Sequence, residues 1–228
     1  MSFKLLHKDA HSKARLGKLV TAHGEIDTPC FMPVGTQGTV KTLSPAELEV
    51  AGAGIILANA YHLFLRPGLD VIKKAGGLHN FISWQKPILT DSGGYQIFSL
   101  ALLRKVSDRG VEFQSHLDGD RHLLTPESVV DIQNTLGSDI MMPLDECVHY
   151  PCARDMAEVA VHRTIDWARR SKWQMANGKW QIKENDKRLL FGIVQGATYE
   201  DLRRVCAESL AEIVFDGYAL GGVYVGEP

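Results

Sequence analysis

What is scarce in this chain narrows it first. Only four of its 228 residues are cysteine (Cys30, Cys147, Cys152 and Cys206), and no two form a C-x-x-C pair. That spacing supports neither a disulfide framework nor a zinc site within these residues, and it suits a reducing compartment. Charge of one sign is scarce too: 25 Lys and Arg against 27 Asp and Glu leave a net charge of -2. No global basic field advertises nucleic acid, although a local patch would suffice for RNA. Long apolar runs are missing. The first residues, "MSFKLLHKDAHSKARLG", have no apolar signal core, and no run is long enough to cross a bilayer. The expected setting is cytoplasmic, with no membrane. Low-complexity segments and repeats are also lacking. What remains, 45% hydrophobic and 23% charged residues, is a globular composition with enough length for a sizeable core.

What is present is a recurring grammar. Short apolar runs end in Gly, Asp, Asn or Gln, and an amphipathic stretch usually follows. The runs are "PCFMPVGT" (29–36), "GIILANAY" (54–61), "PILTDSGG" (87–94), "SDIMMPLDE" (138–146), "RLLFGIVQG" (188–196) and "GYALGGVYVG" (217–226). Continuous apolar runs of this length read as strands buried on both faces. Between them, Ser44-Pro45 with Glu47, and Thr125-Pro126 with Glu127, give helix starts, and Gly137 gives a stop. Helical spacing recurs over 152–173 and 198–213.

This alternation predicts an α/β fold with parallel strands. Six such units favour a TIM (β/α)8 barrel, here incomplete with about six strands, over a doubly wound sheet. Antiparallel decorations are expected over 3–28 and as a hairpin over 110–125, with Asp118-Gly119 at its turn. The chain reads as a single domain, 1–228. A barrel carries its chemistry on the C-terminal ends of its strands. Asp91, Asp145, Gln195 and Gly222 fall there.

Each of those positions has two readings. In "TDSGGYQIFSL" (90–100), Asp91, Ser92, Gly93 and Gly94 form either an Asx-type turn or a loop whose backbone approaches a ligand; Tyr95 adds a flat face for stacking. Asp145 is either a helix N-cap or a carboxylate for paired N–H donors, such as N1–H and the 2-amino group of a guanine. Gln195 suits a base carbonyl or a satisfied strand end. Gly221-Gly222 marks a close backbone approach or a bulge. Together they outline a pocket for a flat, nitrogen-rich ring.

"FMPVGTQGTVKTLSPAEL", "NAYHLFLRPG", "LTDSGGYQIFSL", "SHLDGDRHLLTPE", "PLDECVHYP", "GIVQG" and "ALGGVYVGEP" together resemble the tRNA-guanine transglycosylases, or queuine tRNA-ribosyltransferases, in order over essentially the whole chain. The resemblance implies a barrel that exchanges guanine at the wobble position of a tRNA with a GUN anticodon for a 7-deazaguanine, in queuosine biosynthesis. Asp91 matches the family's general acid/base and Tyr95 its stacking residue, while Ser92, Gly93 and Gly94 match its substrate loop. Asp145 matches the reader of the base's pyrimidine edge, and Gln195 and Gly222 match the contacts to its carbonyl. Asn59 and Cys147 match positions near that pocket.

Val225 matches the bacterial type, which takes 7-aminomethyl-7-deazaguanine, and weighs against an archaeosine-type relative; Tyr224 and Val148-His149 depart from the usual residues. The same resemblance puts the nucleophilic Asp, a basic tRNA-binding stretch and a CxCxxC…H zinc site beyond "GEP". It therefore implies an N-terminal portion with no cofactor of its own, which forms a homodimer when full length. Arg and Lys within 169–187 are the remaining candidates for phosphate contact, or a solvated helix end. A non-catalytic tRNA-binding or partner subunit of the same family is the alternative.

Overall fold

The computed structural model describes residues 2–100, 103–180 and 188–223. In chain order these form β1 (Phe3–Lys8), β2 (Arg15–Thr21), β3 (Gly24–Thr28), α1 (Pro45–Val50), β4 (Ile56–Ala58), α2 (Ala60–Leu65), α3 (Leu69–Lys74), α4 (Leu78–Ile82) and β5 (Ile88–Thr90). There follow α5 (Gly94–Leu100), β6 (Arg104–Ser107), β7 (Gly110–Gln114), β8 (Arg121–Leu124), α6 (Pro126–Leu136), β9 (Ile140–Met141), α7 (Arg154–Asn177), β10 (Leu189–Val194), α8 (Glu200–Ile213) and β11 (Gly217–Leu220). The chain divides into two compact units, 1–90 with 133–141 and 181–189, and 91–132 with 142–180 and 190–228.

In the first unit, β1, β2 and β3 form the antiparallel decoration expected over 3–28, as a three-stranded meander. β4, β5 and β9 pair in parallel. Ile56, Ala58, Ile88, Leu89, Ile140 and Met141 on these strands are buried, which accounts for the unbroken apolar runs. Helix α1 begins where its sequence signal lies: Ser44 Oγ accepts from Glu47 N, and the Glu47 carboxylate accepts from Ser44 N at 2.7 Å. Helices α2, α3 and α4 have no such side-chain cap. The run at 29–36 is not a strand. It makes a single parallel bridge, Val34 with Leu57, because Pro29 and Pro33 lack the N–H groups a ladder requires.

Asp139, just before β9, ties this unit together. Its wholly buried carboxylate accepts from Ile88 N at 2.9 Å and His23 N at 3.1 Å. It also lies 2.8 Å from His23 Nδ1 and 3.2 Å from His79 Nε2. Two imidazoles and a carboxylate have the chemistry of a metal site. The rings, however, stack with centroids 3.6 Å apart and planes at 17°. An imidazole holds a metal in its own plane, and two stacked planes share no such point, so the cluster reads as a hydrogen-bonded anchor.

In the second unit, β10 and β11 pair in parallel, from Phe191 opposite Gly217 to Val194 opposite Leu220. Helices α7 and α8 pack on each other, with Ala157, Ala160, Val161, Thr164, Ile165 and Ala168 buried along α7 and Leu202, Cys206 and Leu210 along α8. The expected hairpin is β7–β8, with Gly119 in the turn at a φ of 80°. β6 extends it to three strands; "RKVS" has no apolar alternation to announce it. The β6–β7 turn is gripped by α7. Trp167 Nε1 and Arg170 Nη1 both donate to Asp108 O, at 2.9 and 2.6 Å, and Arg163 Nε donates to the Asp108 carboxylate at 3.2 Å. Among the described residues no helix is long and apolar enough to cross a membrane.

Burial pushes the Asp139 carboxyl up, but hydrogen bonds from His79, Ile88 N–H and His23 outweigh it and hold it below its ordinary value. A carboxyl lowered by folding adds stability above the unfolded pKa of about 4 and loses it as pH falls through the folded value. Asp139→Ala is expected to cost roughly 3 kcal/mol at pH 7, because it strands buried donors. The gap between variant and parent should close in acid, as read by denaturant melts across pH.

Candidate functional site

The chain leaving β5 turns on its own side chains. Asp91 Oδ1 accepts from Gly93 N and Ser92 Oγ from Gly94 N, each at 3.2 Å. The Asx-type turn therefore exists. It does not end in a loop: Gly93 O accepts from Ile97 N at 3.0 Å, so Gly94 and Tyr95 already stand in the first turn of α5. Buried Ile97 anchors that helix, and Tyr95 is 47% exposed, with its ring 6.1 Å from Phe98.

The turn reaches a second carboxylate. Ser92 Oγ donates to Asp145 Oδ1 at 2.9 Å, and Gln195 Nε2 donates to Asp145 Oδ2 at 2.7 Å. The chain following β5, β9 and β10 thus meets at one carboxyl. Asp145 does not cap α7, whose N-cap is Ala153; that alternative is removed. Gly94 lies so close that a Cβ there would stand 2.7 Å from Asp145 O and 3.0 Å from Asp145 Oδ1. Gly222, at a φ of 64°, has the same constraint: its Cβ would stand 2.6 Å from Gln195 Oε1. That oxygen is buried and has no partner among the described residues.

Burial raises the Asp145 carboxyl above its ordinary value, and the hydrogen bonds from Gln195 and Ser92 only partly oppose this. A cavity of about 190 Å³ opens beside it, lined by Gly94, Ile97, Phe98, Asp145, Cys147 and Met156 among others. Cys147 is buried on that wall. Asn59 belongs to the first unit, where it is buried at the start of α2. Val225, Tyr224 and residues 181–187 lie outside the described residues.

Several supporting residues escape the sequence pattern. Glu146 N donates from the main chain to Thr164 Oγ1 at 3.1 Å, and the Glu146 carboxylate pairs with Arg163, so α7 holds the residue next to Asp145. From α8, Cys206 Sγ accepts from Gln195 N at 3.3 Å and Arg203 Nη1 donates to Gly221 O at 3.1 Å. A faint signal exists: Arg203 borders the apolar stripe Leu202, Cys206, Leu210 at helical spacing. What results is a desolvated carboxyl, a buried amide with an idle acceptor and two bare backbone segments. Such a set suits a planar ligand with adjacent donors on one edge and a carbonyl near them.

The family model described as queuine tRNA-ribosyltransferase matches residues 9–228. Proteins named queuine tRNA-ribosyltransferase from Caldanaerobacter subterraneus subsp. tengcongensis and Thermoanaerobacter pseudethanolicus are each 56% identical over 228 residues. One of that name from Lysinibacillus sphaericus is 54% identical over 226 residues. The alignments take in 100% of this chain for the first two and 99% for the third, and the chain spans 59%, 59% and 58% of those relatives.

A carboxyl raised by folding holds its proton more tightly in the native chain, so ionising it costs stability as pH rises. Asparagine at 145 could accept from Gln195 and donate to the Ser92 oxygen. Asp145→Asn is therefore expected to match the parent or exceed it by about 1 kcal/mol at pH 7–8. Gly94→Ala, which drives a methyl into main chain, should lose roughly 2–3 kcal/mol. Thermal melts of both variants decide this.

Proposed function

Because the chain belongs to the queuine tRNA-ribosyltransferase family, we propose that its Asp145 pocket binds guanine and 7-deazaguanine bases. On this reading it serves the exchange of one for the other at the wobble position of tRNA with a GUN anticodon. The observation that carries the reading is the shared hydrogen-bonding of Ser92 and Gln195 to the one buried Asp145 carboxyl. The base's N1–H and 2-amino group take over the Asp145 carboxylate. Gln195 Nε2, released from Asp145, turns with Gly222 N–H to the base carbonyl. Tyr95 covers the ring face, and Cys147 borders the pocket.

Exchange at C1′ of the ribose is retaining chemistry: one carboxylate forms a covalent intermediate and another moves the protons. Asp91 gives its proton to the departing guanine and takes one from the entering base. The attacking carboxylate is not assigned within these 228 residues, since Asp145 is occupied by the base edge. The parallel strands described here belong to a catalytic (β/α)8 barrel that pairs as a homodimer and works in the cytoplasm. The 7-aminomethyl form is the preferred entering base.

Guanine titrated into the chain in a calorimeter should bind, adenine should not, and Asp145→Ala should weaken guanine at least about tenfold. No guanine binding by the parent would end the reading. The carboxyl must be ionised to accept two donors, and burial raises it, so binding should weaken as pH falls. Titrations at a series of pH values measure that loss. With labelled guanine and tRNA, the chain by itself should incorporate nothing; turnover would show that it holds both carboxylates.

A further inference from the structure

Arg203 spends its charge in an unusual place. Among the described residues its side chain makes no ion pair. It is half-buried, and Nη1 donates to Gly221 O at 3.1 Å and to Ala197 O at 3.3 Å. One guanidinium thus bridges the segment after β10, which carries Gln195, and the segment after β11, which carries Gly222. Ala197 sits in the left-handed region at a φ of 49°, a conformation that needs support in a residue with a side chain.

The Gly221 carbonyl shares its peptide unit with Gly222 N–H. In a trans peptide the two point in opposite directions. With the oxygen fixed on Arg203, the N–H faces away from the guanidinium. A charge-assisted bond at the oxygen also draws electron density from the nitrogen, making the N–H a stronger donor.

We propose that Arg203 is a positioning residue that orients and polarises the Gly221–Gly222 peptide as a donor for the carbonyl oxygen of a 6-oxopurine. It acts through that peptide and through the Gln195 segment, touching no reacting atom. The inference rests on the reading that Gly222 and Gln195 meet a base carbonyl. It goes further in assigning the preference for an oxo over a hydrogen at that ring position to a helix residue outside the pocket.

The test compares guanine with 2-aminopurine, which keeps the 2-amino group but lacks both the oxygen and the N1 proton, so the parent's preference reports both contacts and its change on altering Arg203 reports the oxygen. Calorimetry on the 228-residue chain gives the affinity ratio of the two. Arg203→Ala is expected to weaken guanine about tenfold and leave 2-aminopurine nearly unchanged, narrowing the ratio about tenfold. Arg203→Lys, which keeps the charge but loses the fork, should fall between and stands in if the alanine variant does not fold. A parallel loss for both ligands, or an unchanged ratio in a folded variant, overturns the proposal. If the parent binds guanine no better than 2-aminopurine, the base-carbonyl reading itself fails and this inference with it. Guanine preference in the parent together with an unmoved ratio in the variants rejects Arg203 alone.

Discussion

The second unit is arranged around the cost of taking one carboxyl out of water. Asp145 follows the apolar "IMMPL", and burial there disfavours its charge. Each oxygen is given one donor, Ser92 on one side and Gln195 on the other. Those two bonds draw the chain after β5 and after β10 to the same point. Much else follows from that convergence. Gly94 has no room for a side chain, the Glu146 carboxylate is held by Arg163, and Cys206 braces the main chain of Gln195. Among the described residues the network leaves one acceptor, Gln195 Oε1, without a partner.

The two carboxylates that organise the units make an instructive contrast. Asp139 and Asp145 are six residues apart in sequence, at either end of the run containing β9. Both are desolvated. Asp139 meets main-chain N–H groups and two imidazoles, which reverse the effect of burial; Asp145 meets a hydroxyl and an amide, which do not. Neutral donors leave the second carboxyl with unspent demand for hydrogen bonds. The same residue type is held below its ordinary value at one end of a strand and above it at the other, and the partners make the difference.

Much of this was legible in the sequence for a definite physical reason. Strands covered on both faces need continuous apolar runs, and the polar residues that end those runs had few places to go but the strand ends. The Ser44 capping box and the Asp118-Gly119 turn announced themselves because local backbone demands specific side chains. The reading at 29–36 failed because hydrophobicity was weighed without the missing proline donors. β6 was hidden because its partner supplies the apolar face. Nor could pattern alone choose between turn and site at Asp91 to Tyr95. The structure contains the turn and joins it to Asp145, and a turn does not exclude a site. The partners of Arg203 and Arg163 were hidden for a different reason: they are main-chain carbonyls and loop carboxylates, and no spacing rule encodes either.

Three residues on successive turns of α7 hold the β6–β7 turn at Asp108, and one of them, Arg163, also holds Glu146 beside the pocket carboxyl. The antiparallel ribbon is therefore tethered at that end like a hinge leaf screwed to its post, while its other turn, at Asp118-Gly119, makes only local hydrogen bonds among the described residues. For anyone fusing a reporter or an affinity handle to this ribbon the two turns are unequal. An insertion at 118–119 hangs from the loose end. An insertion at 108–109 pulls on a helix whose next grip is one residue from Asp145.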